Sequence, residues 1–518
     1  MDECRVRRCH RATAASGGNA TLFALRSVKV RQGTTASLVS ATSPTDRTLL
    51  LIVADGVRPD VLARRMAQGH LPNLAARTAR GGAYEVSSVF PSVTGPAYAP
   101  FLMGRFPAQV GIPGLRWYDR GRERCRFPPF ARSYSGPEIW WLDHDLDPSH
   151  PTLLELATPS VAGASMLGRG ARGRRHPGRG VSWMLKAVAP HFRGDLDAWR
   201  RLEGQVSNVI LDHLRRDRPR FAVMAFLLPD KFAHKFGPDT PQVHASLGDL
   251  DAFVGNATDI ARRNGWEDRL DLWVVADHGH ATVTRHDDIA DAVRDSGWRV
   301  LAHPTTWVRR PQVAVMVGGN AMGHVYVDLD KRARPWRLQL TEWQGLESLL
   351  LSRESVDFVA TAEGPHRVRV HTRGRGDALV LREGDGAAAR FSYRCEGGDP
   401  LGMGGDLVAL DAQTAHDAAA RSDYPDALVQ LAAIVPSPRA GDFILSATPG
   451  WDFRDRFEPT PHVSTHGALH REHMTVPLLV DRPLARTPRR TADVMPSALA
   501  ALGIPFRGAL DGVDCVTP

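Results

Sequence analysis

Three aspartates of this chain stand directly after short, uninterrupted apolar segments. The segments are 49–54, 221–229 and 272–276, and the aspartates are Asp55, Asp230 and Asp277. Apolar runs without alternation predict strands buried on both faces, as in a parallel sheet. Side chains that follow such strands meet at the carboxyl edge of the sheet. Three carboxylates gathered there repel one another unless cations neutralise them, so the spacing predicts a metal site.

Histidines accompany two of these aspartates. His234 follows Asp230 by four residues, so a helical turn would place both on one face. His278 follows Asp277 directly, and Gly279 permits a tight loop at that point. Carboxylate and imidazole together suit zinc or manganese, whereas magnesium and calcium prefer oxygen ligands alone.

Other histidines are harder to assign from their positions. Composition does not choose among four near the C-terminus, which are His462, His466, His470 and His473. His280 and His286 are interpreted as non-ligands, because no pattern places them at the strand edge.

A threonine near the end of a predicted strand, Val86–Val89, is a candidate nucleophile. Thr94 stands at a strand-to-helix junction, where threonine also serves as an ordinary N-cap. If its Oγ bound a cation, the hydroxyl could lose its proton and attack phosphorus. The following helix N-terminus could then receive a phosphoryl oxygen.

Five motifs in order resemble the nucleotide pyrophosphatase/phosphodiesterase branch of the alkaline phosphatase superfamily. They are Val53–Gly56, Phe90–Thr94, Asp230 with His234 and Gly237–Pro238, Ala276–Gly279, and Thr465–Gly467. Each motif alone is weak, but their order along most of the chain makes the resemblance specific. The resemblance implies a hydrolase of phosphodiester or phosphoanhydride bonds, with a small phosphate-containing substrate such as a nucleotide.

The same resemblance implies two divalent cations, usually zinc, with manganese as the alternative. One cation would be held by Asp230, His234 and His466. The other would be held by Asp55, Asp277 and His278, with Thr94 Oγ bound on that side. Thr94 would be the nucleophile, and hydrolysis would pass through a phosphothreonine intermediate.

Two departures from the family pattern bear on the substrate. The branch usually carries an asparagine that binds a phosphoryl oxygen, but residues 114–116 are Gly-Leu-Arg. Arg116 or Lys231 is predicted to supply positive charge instead, and arginine suits a dianionic monoester well. A phosphonate hydrolase or a phosphomonoesterase of the superfamily is therefore the alternative. A non-catalytic metal- or nucleic-acid-binding protein is a more remote one.

Composition and charge indicate which partners and which cellular compartment to expect. The chain has 518 residues, a net charge of +8 and five scattered cysteines, which fit a reducing compartment, and we expect a cytoplasmic protein. No apolar stretch approaches the roughly 18 residues that span a bilayer. The basic segments lack interleaved aromatic residues, so nucleic acid is not the expected partner.

The expected architecture is α/β, with a mostly parallel central sheet flanked by helices and an inserted β-rich subdomain. The predicted units are a disordered basic tail (1–46), an alkaline phosphatase-like catalytic core (47–300 and 441–518), an inserted subdomain or cap (301–440) and a basic flexible loop (168–180). Specificity is expected to come from the inserted subdomain.

Overall fold

Residues 46–121, 131–135, 138–304, 308–331, 340–453 and 462–518 are described by a computed structural model of the chain. The strands are β1 Thr48–Ala54, β2 Gly82–Ser87, β3 Arg116–Tyr118, β4 Ala131–Ser133, β5 Ser160–Gly163, β6 Phe221–Phe226, β7 Leu270–Val275, β8 Ala281–Thr282, β9 Arg285–His286, β10 Val300–Ala302, β11 Val313–Gly318, β12 Met322–Tyr326, β13 Val356–Gly364, β14 Arg367–Thr372, β15 Asp377–Glu383, β16 Arg390–Glu396, β17 Leu407–Leu410, β18 Phe443–Ala447, β19 Trp451–Asp452, β20 Ser464–Thr465 and β21 Thr475–Val480. The α-helices are α1 Pro59–Ala67, α2 Pro72–Thr78, α3 Ala99–Met103, α4 Ile139–Asp145, α5 Leu153–Leu156, α6 Val181–Arg193, α7 Leu196–Arg216, α8 Leu228–Phe236, α9 Pro241–Arg263, α10 Ile289–Asp295, α11 Gln344–Ser352, α12 Ala412–Ala419, α13 Ala427–Ile434, α14 Arg471–Met474 and α15 Val494–Ala501.

The central sheet has the strand order β2-β21-β7-β1-β6-β5. Strands β7, β1, β6 and β5 run parallel, while β21 is antiparallel to both of its neighbours. Every residue of β1 is buried, as the apolar run 49–54 predicts. The mostly parallel α/β core is therefore confirmed, and strands β7, β1 and β6 lie side by side with their carboxyl ends at one edge.

Helix α8 begins almost immediately after β6. The apolar run 221–229 reads as one strand in the sequence, but the strand ends at Phe226 and the helix begins at Leu228. Proline is favoured in a first helical turn, and Pro229 lies there. The buried Glu203 of α7 also accepts hydrogen bonds from the backbone N–H groups of Leu227 and Leu228, at 2.6 and 3.1 Å. These contacts place Asp230 in the first turn of the helix.

The second sheet has the strand order β10-β11-β12-β18-β13-β14-β15-β16-β17. It supplies the additional β-rich layer that the sequence predicts after residue 300. The sequence predicts that 441–518 belongs to the catalytic core, but β18 pairs with β12 and β13 in the middle of the second sheet. The apolar residues of β18 resemble those of a strand in the central sheet. Its partners are far away in sequence, so no local pattern indicates which sheet it joins.

Two predicted segments differ in how far the structure describes them. The N-terminal tail lies outside the described residues except for Asp46. In the basic segment 168–180, Arg169 binds Glu155 at 3.1 Å and Arg179 binds Asp143 at 2.5 Å. Flexibility of that segment stays a prediction. Among the described helices, each is too short or too polar to cross a membrane.

Candidate metal centre

The three aspartates meet at the carboxyl edge of the central sheet. Asp55 follows β1 directly, Asp277 follows β7 after one intervening residue, and Asp230 lies in the first turn of α8. Because β7, β1 and β6 are neighbours, the three carboxylates converge although they are far apart in sequence. The structure thus brings the three aspartates together, and their role as metal ligands stays a prediction.

The first group of side chains contains Asp55, Asp277 and His278, all buried. Their ligand atoms lie within 4.8 Å of one another. His278 Nε2 is 3.3 Å from Asp55 Oδ1 and 3.5 Å from Asp277 Oδ2. Its Nδ1 lies 3.1 Å from the Gly279 carbonyl, which accepts only from a protonated Nδ1. With Nδ1 protonated, a neutral ring would turn the Nε2 lone pair toward the carboxylates, where it could bind a cation.

Thr94 lies against this first group. Its Oγ1 is 3.0 Å from His278 Nε2 and 3.3 Å from Asp55 Oδ1, and the residue is only half-buried. Gly95, with φ +96°, lies at the N-terminus of a 3₁₀ turn, Pro96–Tyr98, that continues into α3. Among the described residues, no side chain caps that turn or α3. The threonine hydroxyl thus faces the carboxylates, where a nucleophile would need to be.

The second group contains Asp230, His234 and His466. The Nε2 atoms of His234 and His466 lie 3.3 and 3.6 Å from Asp230 Oδ1. His234 Nδ1 is 2.9 Å from the Ser464 carbonyl, and His466 Nδ1 is 2.9 Å from the Ser92 carbonyl. Backbone acceptors behind both rings fix the tautomer that leaves Nε2 unprotonated, as metal-ligating histidines usually show.

His280 also lies in the centre, contrary to the expectation from sequence. It is fully buried, and its Nε2 is 2.8 Å from Asp230 Oδ1. Asp230, His278, His280 and His466 form a group whose ligand atoms all lie within 4.8 Å of one another. The missed signal is spacing: after a strand, residues two apart point to the same side of extended backbone, and His280 is two residues from His278.

The charges of the centre are unbalanced without a cation. Burial and the neighbouring Asp277 carboxylate raise the pKa of Asp55, and burial raises the pKa of Asp277 as well. Asp277 Oδ2 is buried and accepts no hydrogen bond within the described part of the chain. A divalent cation would bind this carboxylate oxygen together with the neighbouring imidazole nitrogens. Carboxylate oxygen and imidazole nitrogen are usual metal ligands, so these residues fit metal binding.

The remaining candidate residues lie around this centre. His462 stacks on His234, with ring centroids 4.1 Å apart. His286 instead binds Asp452 at 2.7 Å. Lys231 places its ammonium 4.3 Å from the centre of the Trp199 ring, and Arg116 donates to the Val317 carbonyl at 3.4 Å. A substrate-binding role for Lys231 or Arg116 stays a prediction.

Comparison with known proteins agrees with this geometry. The sequence model of the type I phosphodiesterase / nucleotide pyrophosphatase family matches residues 49–469. The chain belongs to this family. The five motifs and the candidate metal centre therefore lie within one matched region.

Relatives of known sequence are distant. The chain is 23% identical over 254 residues to an uncharacterised pyrophosphatase/phosphodiesterase of Schizosaccharomyces pombe, covering 48% of each chain. It is 25% identical over 224 residues to ectonucleotide pyrophosphatase/phosphodiesterase family member 7 of Homo sapiens, covering 41% of this chain and 44% of the relative. The match thus spans about half of the length of these relatives or less.

Solved structures share the fold over most of their length. Human ectonucleotide pyrophosphatase / phosphodiesterase 5 superposes with a TM-score of 0.54 and 12% identity, covering 90% of this chain and 97% of that one. Phosphonoacetate hydrolase from Sinorhizobium meliloti 1021 superposes with a TM-score of 0.52 and 16% identity, covering 89% and 96%. These neighbours confirm an alkaline phosphatase-like fold.

Proposed function

We propose that this protein hydrolyses phosphodiester or phosphoanhydride bonds through a phosphothreonine intermediate on Thr94. The observation that carries the proposal is the position of Thr94 Oγ1, 3.0 Å from His278 Nε2 and 3.3 Å from Asp55 Oδ1. A hydroxyl held by one carboxylate and one imidazole, and accessible at a half-buried residue, is suited to nucleophilic attack. Family membership supports the same reaction class.

Two divalent cations would complete the site. Asp55, Asp277 and His278 would hold one beside Thr94, and Asp230, His234 and His466 would hold the other. Bound there, cations would lower the pKa of the Thr94 hydroxyl and offset charge on the phosphoryl oxygens. Zinc is the proposed metal because imidazole and carboxylate together are its usual ligands, with manganese as the alternative.

The chain's own groups then account for the steps. The Thr94 hydroxyl gives its proton to solvent, and Oγ forms a bond to phosphorus as the bond from phosphorus to the leaving oxygen breaks; the leaving oxygen takes a proton from solvent. Water next attacks the phosphothreonine and gives up one proton, the Oγ–phosphorus bond breaks, and Thr94 Oγ takes up a proton. Asp55 and His278 hold the Oγ in position throughout, which removes most of the entropic cost of orienting the attack.

The leaving group is expected to lie over the second group of ligands. Asp230 and His234 keep 15% and 16% of their side chains exposed, whereas Asp277 and His278 are fully buried. A bound substrate therefore reaches the centre from the Asp230 side. A nucleotide is a reasonable substrate class, since a structure of murine ectonucleotide pyrophosphatase / phosphodiesterase 5 contains AMP.

Rapid acid quench with a radiolabelled diester tests the proposal. The zinc- or manganese-loaded wild-type protein should carry label on Thr94, and Thr94→Ser should retain part of the turnover. Thr94→Ala should lose label and at least about 10³-fold in kcat, the scale on which nucleophile removal acts. Thr282→Ala, an exposed threonine in β8, is the matched control. Turnover in Thr94→Ala close to wild type would refute the assignment.

A substrate panel separates this reaction from its alternatives. Bis(p-nitrophenyl) phosphate, p-nitrophenyl phosphate and phosphonoacetate report diesterase, monoesterase and phosphonate hydrolase activity. We expect the diester to give the highest kcat/KM. A clear preference for phosphonoacetate would favour a phosphonate hydrolase, the reaction of the structural neighbour from Sinorhizobium meliloti.

A further inference from the structure

His280 is confined between groups that fix the orientation of its ring. A Cβ built on Gly56, whose φ is +67°, would lie only 2.7 Å from His280 Cδ2. The ring is edge-on to that of His234, with centroids 4.8 Å apart, and to that of His466, at 5.2 Å. The imidazole is therefore packed against Gly56, His234 and His466 while it faces Asp230.

The hydrogen atom on Ser464 decides which nitrogen of His280 is protonated. Ser464 Oγ donates to the Ala233 carbonyl at 2.6 Å, and a hydroxyl has one hydrogen to donate. Ser464 Oγ is also 3.0 Å from His280 Nδ1, so at that contact it accepts a hydrogen bond from Nδ1–H. In the neutral ring the lone pair is then on Nε2, and Nε2 faces Asp230 Oδ1 at 2.8 Å.

The Nε2 lone pair of His280 and the carboxylate oxygen Oδ1 of Asp230 are both acceptors. At a separation of 2.8 Å they repel each other unless a positive charge lies between them. A proton on Nε2 would supply it, but an imidazolium would be repelled by a divalent cation bound to the same carboxylate. A cation shared by Nε2 and Oδ1 satisfies both atoms at once. The fully buried ring and the fixed Nδ1–H favour the cation, since ligating histidines commonly donate their second N–H to a protein acceptor.

We propose that His280 Nε2 is a direct ligand of the cation on the Asp230 side, in addition to His234 and His466. The inference rests on the proposed function only in requiring a cation at that position. His280 Nε2 lies 2.8 Å from Asp230 Oδ1, nearer than the Nε2 atoms of His234 and His466 at 3.3 and 3.6 Å, which supports direct ligation. Three imidazoles and one carboxylate would then hold this cation, a set that favours zinc over magnesium or calcium.

A structure of the full chain with zinc bound tests the ligand directly. We expect His280 Nε2 at about 2.0–2.1 Å from the zinc, the usual distance for imidazole. A zinc ion on Asp230 with His280 Nε2 more than about 3 Å away, outside that range, would overturn the proposal and leave His280 a positioning residue. In solution, ¹⁵N-histidine protein loaded with ¹¹³Cd should show coupling at His234, His278, His280 and His466. Absence of coupling at His280 would likewise contradict direct ligation.

Affinity measurements provide the second arm. Chelator titration should show that His280→Gln weakens one of two bound zinc ions by more than about 100-fold, beyond the 10–100-fold typical of an outer hydrogen-bond partner. His286→Gln, at a histidine bound to Asp452, should bind both ions as the wild type does. Failure of the wild-type protein to bind any cation would refute the proposed function itself, whereas two ions bound equally tightly by His280→Gln would refute only the role of His280.

Discussion

Replacing Glu203 by glutamine is expected to stabilise the protein at alkaline pH and to change it little under acidic conditions. Burial raises the pKa of Glu203 to about 8, although the backbone N–H groups of Leu227 and Leu228 partly oppose this. Both N–H groups donate to one oxygen, Oε1. The amide oxygen of glutamine can accept the same two bonds without carrying a charge.

The sign of the effect follows from the raised pKa. A carboxyl whose pKa rises on folding stabilises the folded state below its unfolded value of 4.5, and that contribution is lost as pH rises through about 8. A tenfold change in proton affinity is worth about 1.4 kcal/mol, so the complete loss approaches about 5 kcal/mol. Since solvent and side chains relax around a buried charge, a measured difference of about 2–5 kcal/mol is expected above pH 8.

Urea denaturation followed by tryptophan fluorescence measures this difference. Glu203→Gln should be more stable than the wild type by about 2–5 kcal/mol at about pH 9, and by less than about 1 kcal/mol at about pH 5. The other titrating groups are the same in both proteins, so their contributions to the pH dependence cancel in the difference between the two free energies of unfolding. Glu85→Gln, an exposed position in β2, should show no difference at either pH. A Glu203→Gln difference that stays constant between these pH values would show that the Glu203 carboxyl does not titrate in this window, and would refute the reasoning.

Three further results are expected. Asp230→Ala should bind about one zinc ion per chain instead of two by elemental analysis, because it removes the carboxylate that the second group of ligands shares; two tightly held ions would contradict that assignment. Gly279→Ala should destabilise the fold by about 1–3 kcal/mol in urea, because its Cβ would lie 2.2 Å from the Glu472 carbonyl oxygen; near-wild-type stability would show that the backbone adapts. Zinc should raise the melting temperature more at about pH 8 than at about pH 5. The pKa values of Asp55 and Asp277 are raised, so their ionised forms destabilise the cation-free protein as pH rises. An equal shift in melting temperature at both pH values would argue against zinc binding to these carboxylates.

The parts of the site that follow from local sequence could be predicted, and those that depend on distant contacts could not. Asp55 and Asp277 follow uninterrupted apolar strands, so their meeting at one edge follows from the geometry of a parallel sheet. The spacing of His280 from His278 hints that both face one side, but its contacts with Asp230 and Ser464 depend on the backbone path between β7 and β8. Its contact with Ser464 joins residues 184 positions apart.

The same limit applied to Glu203 and to β18. A buried glutamate on α7 that accepts the first N–H groups of α8 leaves no mark in sequence, since a glutamate on an amphipathic helix is ordinarily exposed. Strand β18 resembles any apolar strand, and its partners β12 and β13 precede it by many residues. The sequence therefore predicted the type and approximate place of most elements, but not which sheet received that strand.

The position of β18 has a consequence for how this enzyme family can diversify. Residues 301–440 form one continuous segment of sequence, so recombination could in principle exchange them between relatives. The second sheet nevertheless has β18 between β12 and β13, and β18 comes after that segment in sequence. Ser446 of β18 also accepts a hydrogen bond from the backbone N–H of Leu469, in the loop that follows His466. A transplanted segment would arrive without its middle strand and would disturb the loop that follows His466. An exchange of this segment between relatives would therefore have to include β18 to preserve the second sheet.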